Sequence, residues 1–532
     1  MLALVGYVSD ERYVAVPDAV LEFINRAGDS FEARSRASGA VHVHIPDGEY
    51  RVVIQKPGFG AKFSRVTLPV EKPHHFRLLS DGLLGYAWPK WVRGGEKSEF
   101  RVHSVESYKL ELWRYGAAPE FVRSLGWHDE HGPRAVMQIT PDGDYTQIGA
   151  EWNKVGYANS VHSQFVAGPE RSGLYYFRAS TASGREFSFP WIVAPAKPVS
   201  KLAVLASNIT WNAYNSFGGR SNYIHADGLP PTPTVNSRVE LKRYSDAGHF
   251  TWGADNYPPL SFDRPEPFNH IDFNEKITDP IEGRQACHLA PAEWRLLGWL
   301  ESRGIAYDYY AETQLDDNTL DLSAYRVLIS AVHPEYWTQR MYERVKRWVF
   351  EEGGRLVYLG GNGLNCEVEI RADGTVAYHN GKLRGLDVRG LGGYESRYAM
   401  RHESEANLLG CVFTPAGAMT GAPYRVLDAS HWAFDRTGLK TGDLFGEKCL
   451  HMRCPGGASG HETDKVSPSS PKNATVIARG LNPDDGGAHM LTFDTPGGGT
   501  VFSVGSINYV ASLPVDEFVS RITENVLRRF LS

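Results

Sequence analysis

From residue 2 to about residue 80 the chain alternates apolar and polar positions with a period of two, in Leu2–Val8, Ala19–Phe23, Ala40–Ile45 and Glu49–Gln55, with Asp-Gly and Pro-Gly turns between runs. That period puts alternate side chains on one face of a sheet, so the pattern predicts a small β-sandwich over residues 1–82. A second strand-rich stretch runs from WPKWVRGGEKSEFRVHS (88–104) to SGLYYFRASTASGREFSFPWIVAP (172–195), predicting another β-sandwich over 83–197. The prolines and small residues of APAKPVS (194–200) then mark a linker. Beyond it the texture changes. Lys201–Asn208, Tyr325–Val332 and Gly354–Gly360 are short continuous apolar runs, as strands buried on both faces are. Helix-period segments at Pro291–Arg303 and Trp337–Glu352 lie among them, and an amphipathic stretch, Val515–Leu531, closes the chain. Strand and helix in alternation predict an α/β domain with a mainly parallel sheet over 198–532. Residues 370 to 510 mix strand runs with Gly-rich loops in an order the pattern does not reveal.

Composition narrows the class. At 532 residues the chain exceeds what one core organises, consistent with several domains. A net charge of −6 gives no basic face for nucleic acid, and no stretch approaches the apolar length of a membrane span. The first residues lack a basic region and a long apolar run, so no secretory signal is read and a cytoplasmic location is expected. Five cysteines (287, 366, 411, 449 and 454) are too few and too odd in number for a disulfide framework. The segment SGAVHVHIPDGEYRVVIQKPGF (38–59) resembles the prealbumin-like domains appended to many bacterial proteins, which implies docking or packing.

In open α/β sheets ligands sit beyond the carboxyl ends of the strands. After the first buried strand comes ITWNAYNSFGGRSNYIHADG, in which Gly218-Gly219 allows the chain to double back and bring Tyr214 and Tyr223 to one point. Two tyrosines among 26 are also ordinary packing residues. After the second comes HPEYW, with His333 and Glu335 just before a helix, where the helix dipole alone favours a carboxylate. The third leads to Gly361-Asn362-Gly363, a loop whose backbone N–H groups could meet an oxyanion or merely form a tight turn. A cysteine-nucleophile enzyme of the glutamine-amidotransferase type shares this layout, but Cys366 falls too late for the sharp turn. Zinc spacings such as HExxH and paired CxxC are missing, and CLHMRC (449–454) is spaced wrongly.

The segments TWNAYN (210–215), GGRSNYIHADG (218–228), SFDRP (261–265), HPEYW (333–337), LGGNG (359–363) and GHETD (460–464) stand in the order of one family. Through them the chain, from about residue 85 to 532, resembles the N,N-dimethylformamidase large (beta) subunit family. That resemblance implies a mononuclear Fe(III) centre held by Tyr214, Tyr223 and Glu335, with Glu462 as base and His333 as a candidate to orient a metal ligand or to pass a proton. It implies hydrolysis of the C–N bond of a small amide or formamide by metal-activated water, with backbone groups near Asn362 supporting the oxyanion. Three anionic oxygen donors suit a trivalent ion, and metal binding must drive the phenols to deprotonate. For partners the expectation is a homo-oligomer, with a separate small subunit to be tested for. Two departures bear on the substrate. Only eight residues separate the two tyrosines, where the dimethylformamidase has a longer insertion, and Glu266 replaces the usual aromatic after Arg-Pro. The alternative is a non-catalytic binding protein of the same fold.

Overall fold

The computed structural model describes residues 3–128, 137–138, 140–152, 164–235, 254–271, 288–381 and 394–532. Cys287 lies outside the described residues. The N-terminal strands form two sheets. One has three strands in the order Ala40–Val43, Ala3–Ser9, His74–Arg77. The other has five, and four of them are Gly60–Leu68, Gly48–Lys56, Val20–Asn25 and Ser30–Arg34. Period two is realised directly: Gly48–Lys56 turns Tyr50, Val52 and Ile54 into the core and Glu49, Arg51 and Gln55 outward. The fifth strand is Met137–Gln138, pairing in parallel with Ala61 and Lys62. Two residues inside the 83–197 stretch therefore extend a sheet of the first region, across the division at residue 82.

The next region again has two sheets, of three and five strands, drawn from residues 83–194. Its core is a separate cluster that includes Phe100, Phe177, Phe189 and Trp191. The chain is thus multidomain and rich in β-sheet. Tyr86 donates to Asp263 (2.9 Å), Arg101 pairs with Asp263 (2.5 Å), and Lys90 pairs with Glu266 (2.6 Å), all buried. These contacts fasten the region to the segment SFDRPE. The Glu266 carboxylate thereby answers a buried lysine, whose ammonium would be costly to bury alone.

The C-terminal region centres on nine strands: β1 (Leu202–Ala206), β2 (Asp308–Ala311), β3 (Val327–Val332), β4 (Arg355–Gly360), β5 (Tyr424–Val426), β6 (Leu444–Phe445), β7 (Thr475–Gly480), β8 (His489–Asp494) and β9 (Thr500–Ser503). Their order is β2-β1-β3-β4-β9-β8-β7-β5-β6. Pairings from β2 to β9 are parallel, and those from β9 to β6 are antiparallel. The expected mainly parallel sheet is therefore a mixed one. The apolar runs mark only its parallel half, where β1 and β3 are buried along their whole length.

Helices of this region include α1 (Asn208–Tyr214), α2 (Ala290–Ser302), α3 (Gln339–Glu351), α4 (Asn508–Ser512) and α5 (Glu517–Leu531). Thr338 caps α3 by accepting from the Met341 N–H, and Asp516 caps α5 by accepting from Phe518 and Val519. Among the described residues no helix is long and apolar enough to cross a membrane.

Candidate functional site

Three neighbouring parallel strands, β1, β3 and β4, deliver the site from their carboxyl ends. β1 leads through Ser207 into α1, whose last residue is Tyr214. The chain then reverses at Gly218 and Gly219, both with positive φ (100° and 92°). A Cβ on Gly219 would stand 2.4 Å from Tyr13 Cβ, so only glycine fits. Beyond the turn, Ser221 Oγ accepts from the Tyr223 and Ile224 N–H groups, which orients Tyr223 back toward α1. Arg264, fully buried in SFDRP, donates to the carbonyls of Phe217 (2.7 Å) and Asn212 (3.2 Å). This motif clamps the two tyrosine-bearing segments together.

β3 ends at Val332, which adopts a φ of 63°. A β-branched residue is disfavoured there, at a cost on the order of 1–3 kcal/mol. Asn362 after β4 (φ 49°) and His461 before Glu462 (φ 63°) share this backbone region. Each lies beside or within the side-chain cluster, so the strain is spent where chain direction must change to aim a functional group.

The six residues expected from the sequence meet. Tyr223 Oη lies 3.0 Å and Tyr214 Oη 3.3 Å from the same oxygen, Glu335 Oε2. Their rings pack with centroids 4.2 Å apart. His333 Nε2 lies 3.4 Å from Glu335 Oε2 and 3.1 Å from Glu462 Oε2. The Asn362 side-chain amide donates to Glu462 Oε2 (3.0 Å).

Electrostatics divide these groups. Burial, then the Glu335 carboxylate, pushes the Tyr223 phenol well above its ordinary range. Burial also raises Glu335, and the opposing pull of His333 does not cancel it. Burial would raise Glu462 as well, but the His333 hydrogen bond and charge, with Asn362, bring it down to about 2. Burial disfavours the His333 cation, yet the Glu335 and Glu462 carboxylates overcome this and raise it. The nearby His333 and the Asn362 amide thus favour the ionised form of Glu462. The Tyr214, Tyr223 and Glu335 oxygens form a converging set in which burial disfavours the charged forms of Tyr223 and Glu335, a cost that a bound cation would offset. Two phenols and a carboxylate are hard oxygen donors, and their arrangement fits a hard, highly charged ion. Among the described residues no cluster of three His, Cys, Asp or Glu is placed to hold a metal.

One expectation is corrected. The Asn362 N–H donates to Asp464 Oδ1 (2.8 Å) and the Gly363 N–H to Tyr358 Oη (2.8 Å). Gly361 N–H points to the Val332 carbonyl (3.3 Å). The loop's backbone donors are consumed internally and leave nothing for an oxyanion. Asn362 contributes its side chain instead, by holding Glu462. LGGNG owes its glycines to packing: a Cβ on Gly361 would meet the Glu462 carbonyl oxygen at 2.4 Å and Ile507 N at 2.8 Å. Gly361→Ala is expected to destabilise the protein by roughly 1–3 kcal/mol, the usual cost of overpacking, and to displace Glu462. Thermal unfolding checks the first part and turnover of the purified variant the second. An unchanged melting temperature with unchanged turnover would show that the segment relaxes freely.

Residues that sequence reasoning passed over complete the cluster. Tyr336 Oη lies 2.8 Å from Tyr223 Oη, and Asp464 anchors Asn362; both stand inside the motifs HPEYW and GHETD, where their types were visible. His288 packs edge-on to Tyr214 (4.4 Å between centroids), His333 (5.2 Å) and His461 (5.1 Å). It belongs to none of the motifs, and no sequence signal marks it. Cys366 is buried, and burial pushes its thiol up, the wrong direction for a nucleophile.

Fold and site together define a multidomain, β-rich protein with a buried centre of oxygen donors at the carboxyl ends of adjacent parallel strands. The chain belongs to the N,N-dimethylformamidase beta subunit-like family, whose C-terminal model matches residues 118–523. It is 25% identical over 422 residues to the N,N-dimethylformamidase beta subunit of Paracoccus aminophilus, covering 68% of this chain and 52% of that one. It is 26% identical over 291 residues to the N,N-dimethylformamidase beta subunit of an Alcaligenes species, covering 45% and 37%. The chain therefore spans about half the length, or less, of these curated relatives. A solved β-galactosidase from Rahnella sp. R3 overlaps 45% of this chain and 27% of its own with a TM-score of 0.27 and 13% identity, which bears on neither fold nor function.

Proposed function

We propose that this protein hydrolyses the C–N bond of a small linear amide or formamide at a mononuclear ferric centre held by Tyr214, Tyr223 and Glu335. The observation that carries the reading is the approach of both phenol oxygens to one buried carboxylate oxygen, at 3.0 and 3.3 Å. Beside it stands a carboxylate, Glu462, that meets His333 Nε2 and the Asn362 amide. A bound ferric ion supplies Lewis acidity, polarising a carbonyl and making water easier to deprotonate.

The chain's own groups handle the proton. His333 Nε2 stands 3.1 Å from Glu462 Oε2, close enough for a proton to pass between them. Positive charge at Glu335 disfavours the imidazolium and leaves the pair able to accept a proton from water. Glu462 takes it, and the pair returns it to the departing amine nitrogen. Asn362 fixes the carboxylate throughout. The names of the relatives as beta subunits extend the proposal to a separate partner subunit, alongside self-association of this chain.

A panel of formamides and acetamides tests the reading. Metal-loaded protein is expected to release amine and carboxylic acid in equal amounts, with activity lost on chelation and restored by iron. If no member of the panel yields amine, the site serves binding alone, and the hydrolytic reading fails.

A further inference from the structure

The corrected loop leaves a question: which group faces the substrate's carbonyl oxygen? Backbone amides 361–363 are engaged, and a side chain can supply a hydrogen bond to that oxygen alongside a bound metal ion. His461, one residue before Glu462, is buried, and its backbone is locked on both sides of the turn. Its N–H donates to the Thr420 carbonyl (3.0 Å), and its carbonyl accepts from Met419 (2.6 Å).

The ring's protonation follows from a chain of hydrogen bonds that starts at the backbone. The Cys454 N–H donates to His451 Nδ1 (3.1 Å). An amide nitrogen can only donate, so Nδ1 of His451 carries no proton. The His451 proton is therefore on Nε2, which lies 3.1 Å from His461 Nδ1. His461 Nδ1 must accept, and the His461 proton must stand on Nε2. No other assignment satisfies both contacts, because a cation on either ring would set two N–H groups against each other. Burial reinforces this by holding both rings below the ordinary imidazole range, His451 at about 3.

Nε2 lies across the ring from His451. The ring stands edge-on to His288, which packs in turn against Tyr214 and His333. We propose that His461 presents a fixed Nε2–H donor to the carbonyl oxygen of the substrate, and that His451 is the positioning residue that holds it in this tautomer. The proposal rests on the amide-hydrolase reading. The donor is neutral and pre-oriented, so it costs no reorganisation as charge develops on that oxygen.

The test begins on the unaltered protein. Histidine-selective ¹⁵N labelling with NMR reports the tautomer directly, without turnover. His461 is expected as the neutral Nε2–H form at neutral pH; an Nδ1–H form or a cation overturns the clamp. Turnover of N,N-dimethylformamide supplies the second arm. His461→Leu is expected to lower kcat by roughly 10²–10³-fold, the range for loss of one oxyanion donor, with iron content unchanged. His461→Gln, which keeps an N–H near the same place, recovers part of that loss. His451→Phe frees the tautomer and lowers kcat, while His451→Gln, able to accept from Cys454 and donate to His461, restores it. If His461→Leu keeps full kcat while Glu462→Gln loses it, the donor assignment fails and the hydrolytic reading stands. If Glu462→Gln also keeps full kcat, the failure belongs to the reading itself.

Discussion

Glu462→Gln is expected to lower kcat by about 10²–10⁴-fold, the usual span for removing a general base, with KM and metal content little changed. Glutamine has the same shape. Its single carbonyl oxygen can take the place of Oε2, which now meets His333 Nε2 and Asn362 Nδ2 at 3.1 and 3.0 Å. Fold and neighbouring side chains therefore persist, and only the capacity to hold a proton is lost. His333 and Asn362 also pull the Glu462 carboxyl down, to about 2, whereas burial raises Glu335. Steady-state kinetics together with metal analysis of the same preparation decide the outcome. Retention of turnover removes Glu462 from the base role. Loss of metal from Glu462→Gln, with metal kept in Glu335→Gln, exchanges the two glutamates.

Tyr223→Phe should act on metal before chemistry. The ring stays, and so does its packing on Tyr214; what goes is one oxygen and its contacts to Glu335 (3.0 Å) and Tyr336 (2.8 Å). Losing such hydrogen bonds costs about 1 kcal/mol each, a small part of the stability of a protein this size. Losing one donor of three should cost more than the roughly 10–100-fold in metal affinity typical of outer-shell changes. Metal content and turnover are expected to fall together while the melting temperature of the metal-free protein barely moves. Tyr214→Phe and Glu335→Gln should follow the same pattern. Full metal content and activity in both tyrosine variants would return the pair to the core, as packing residues.

What was legible in the sequence follows from range. β1, β3 and β4 are continuous apolar runs, so their ends at Ala206, Val332 and Gly360 could be read, and with them the three places where chemistry sits. The antiparallel half of the sheet could not be read. β5 and β6 are three and two residues long, too short for a period, and they pair across Gly-rich loops. The resemblance, more than any pattern, singled out Tyr214 and Tyr223 among many tyrosines. Whether the 361–363 amides were free depended on Tyr358 and Asp464, a residue about a hundred positions away whose partner no local signal names. His288 reached the site by tertiary packing alone. The pairing of Met137–Gln138 with a distant sheet edge is likewise a long-range event of two residues.

The most direct test of the proposed centre is elemental analysis of the purified protein combined with its visible spectrum. Phenolate bound to ferric iron absorbs visible light by charge transfer, so two tyrosine donors should colour the protein. The expected result is about one iron per chain and a visible band that disappears with the iron in Tyr223→Phe. A colourless, iron-free preparation that releases amine from formamides at full rate in the presence of a chelator would contradict it.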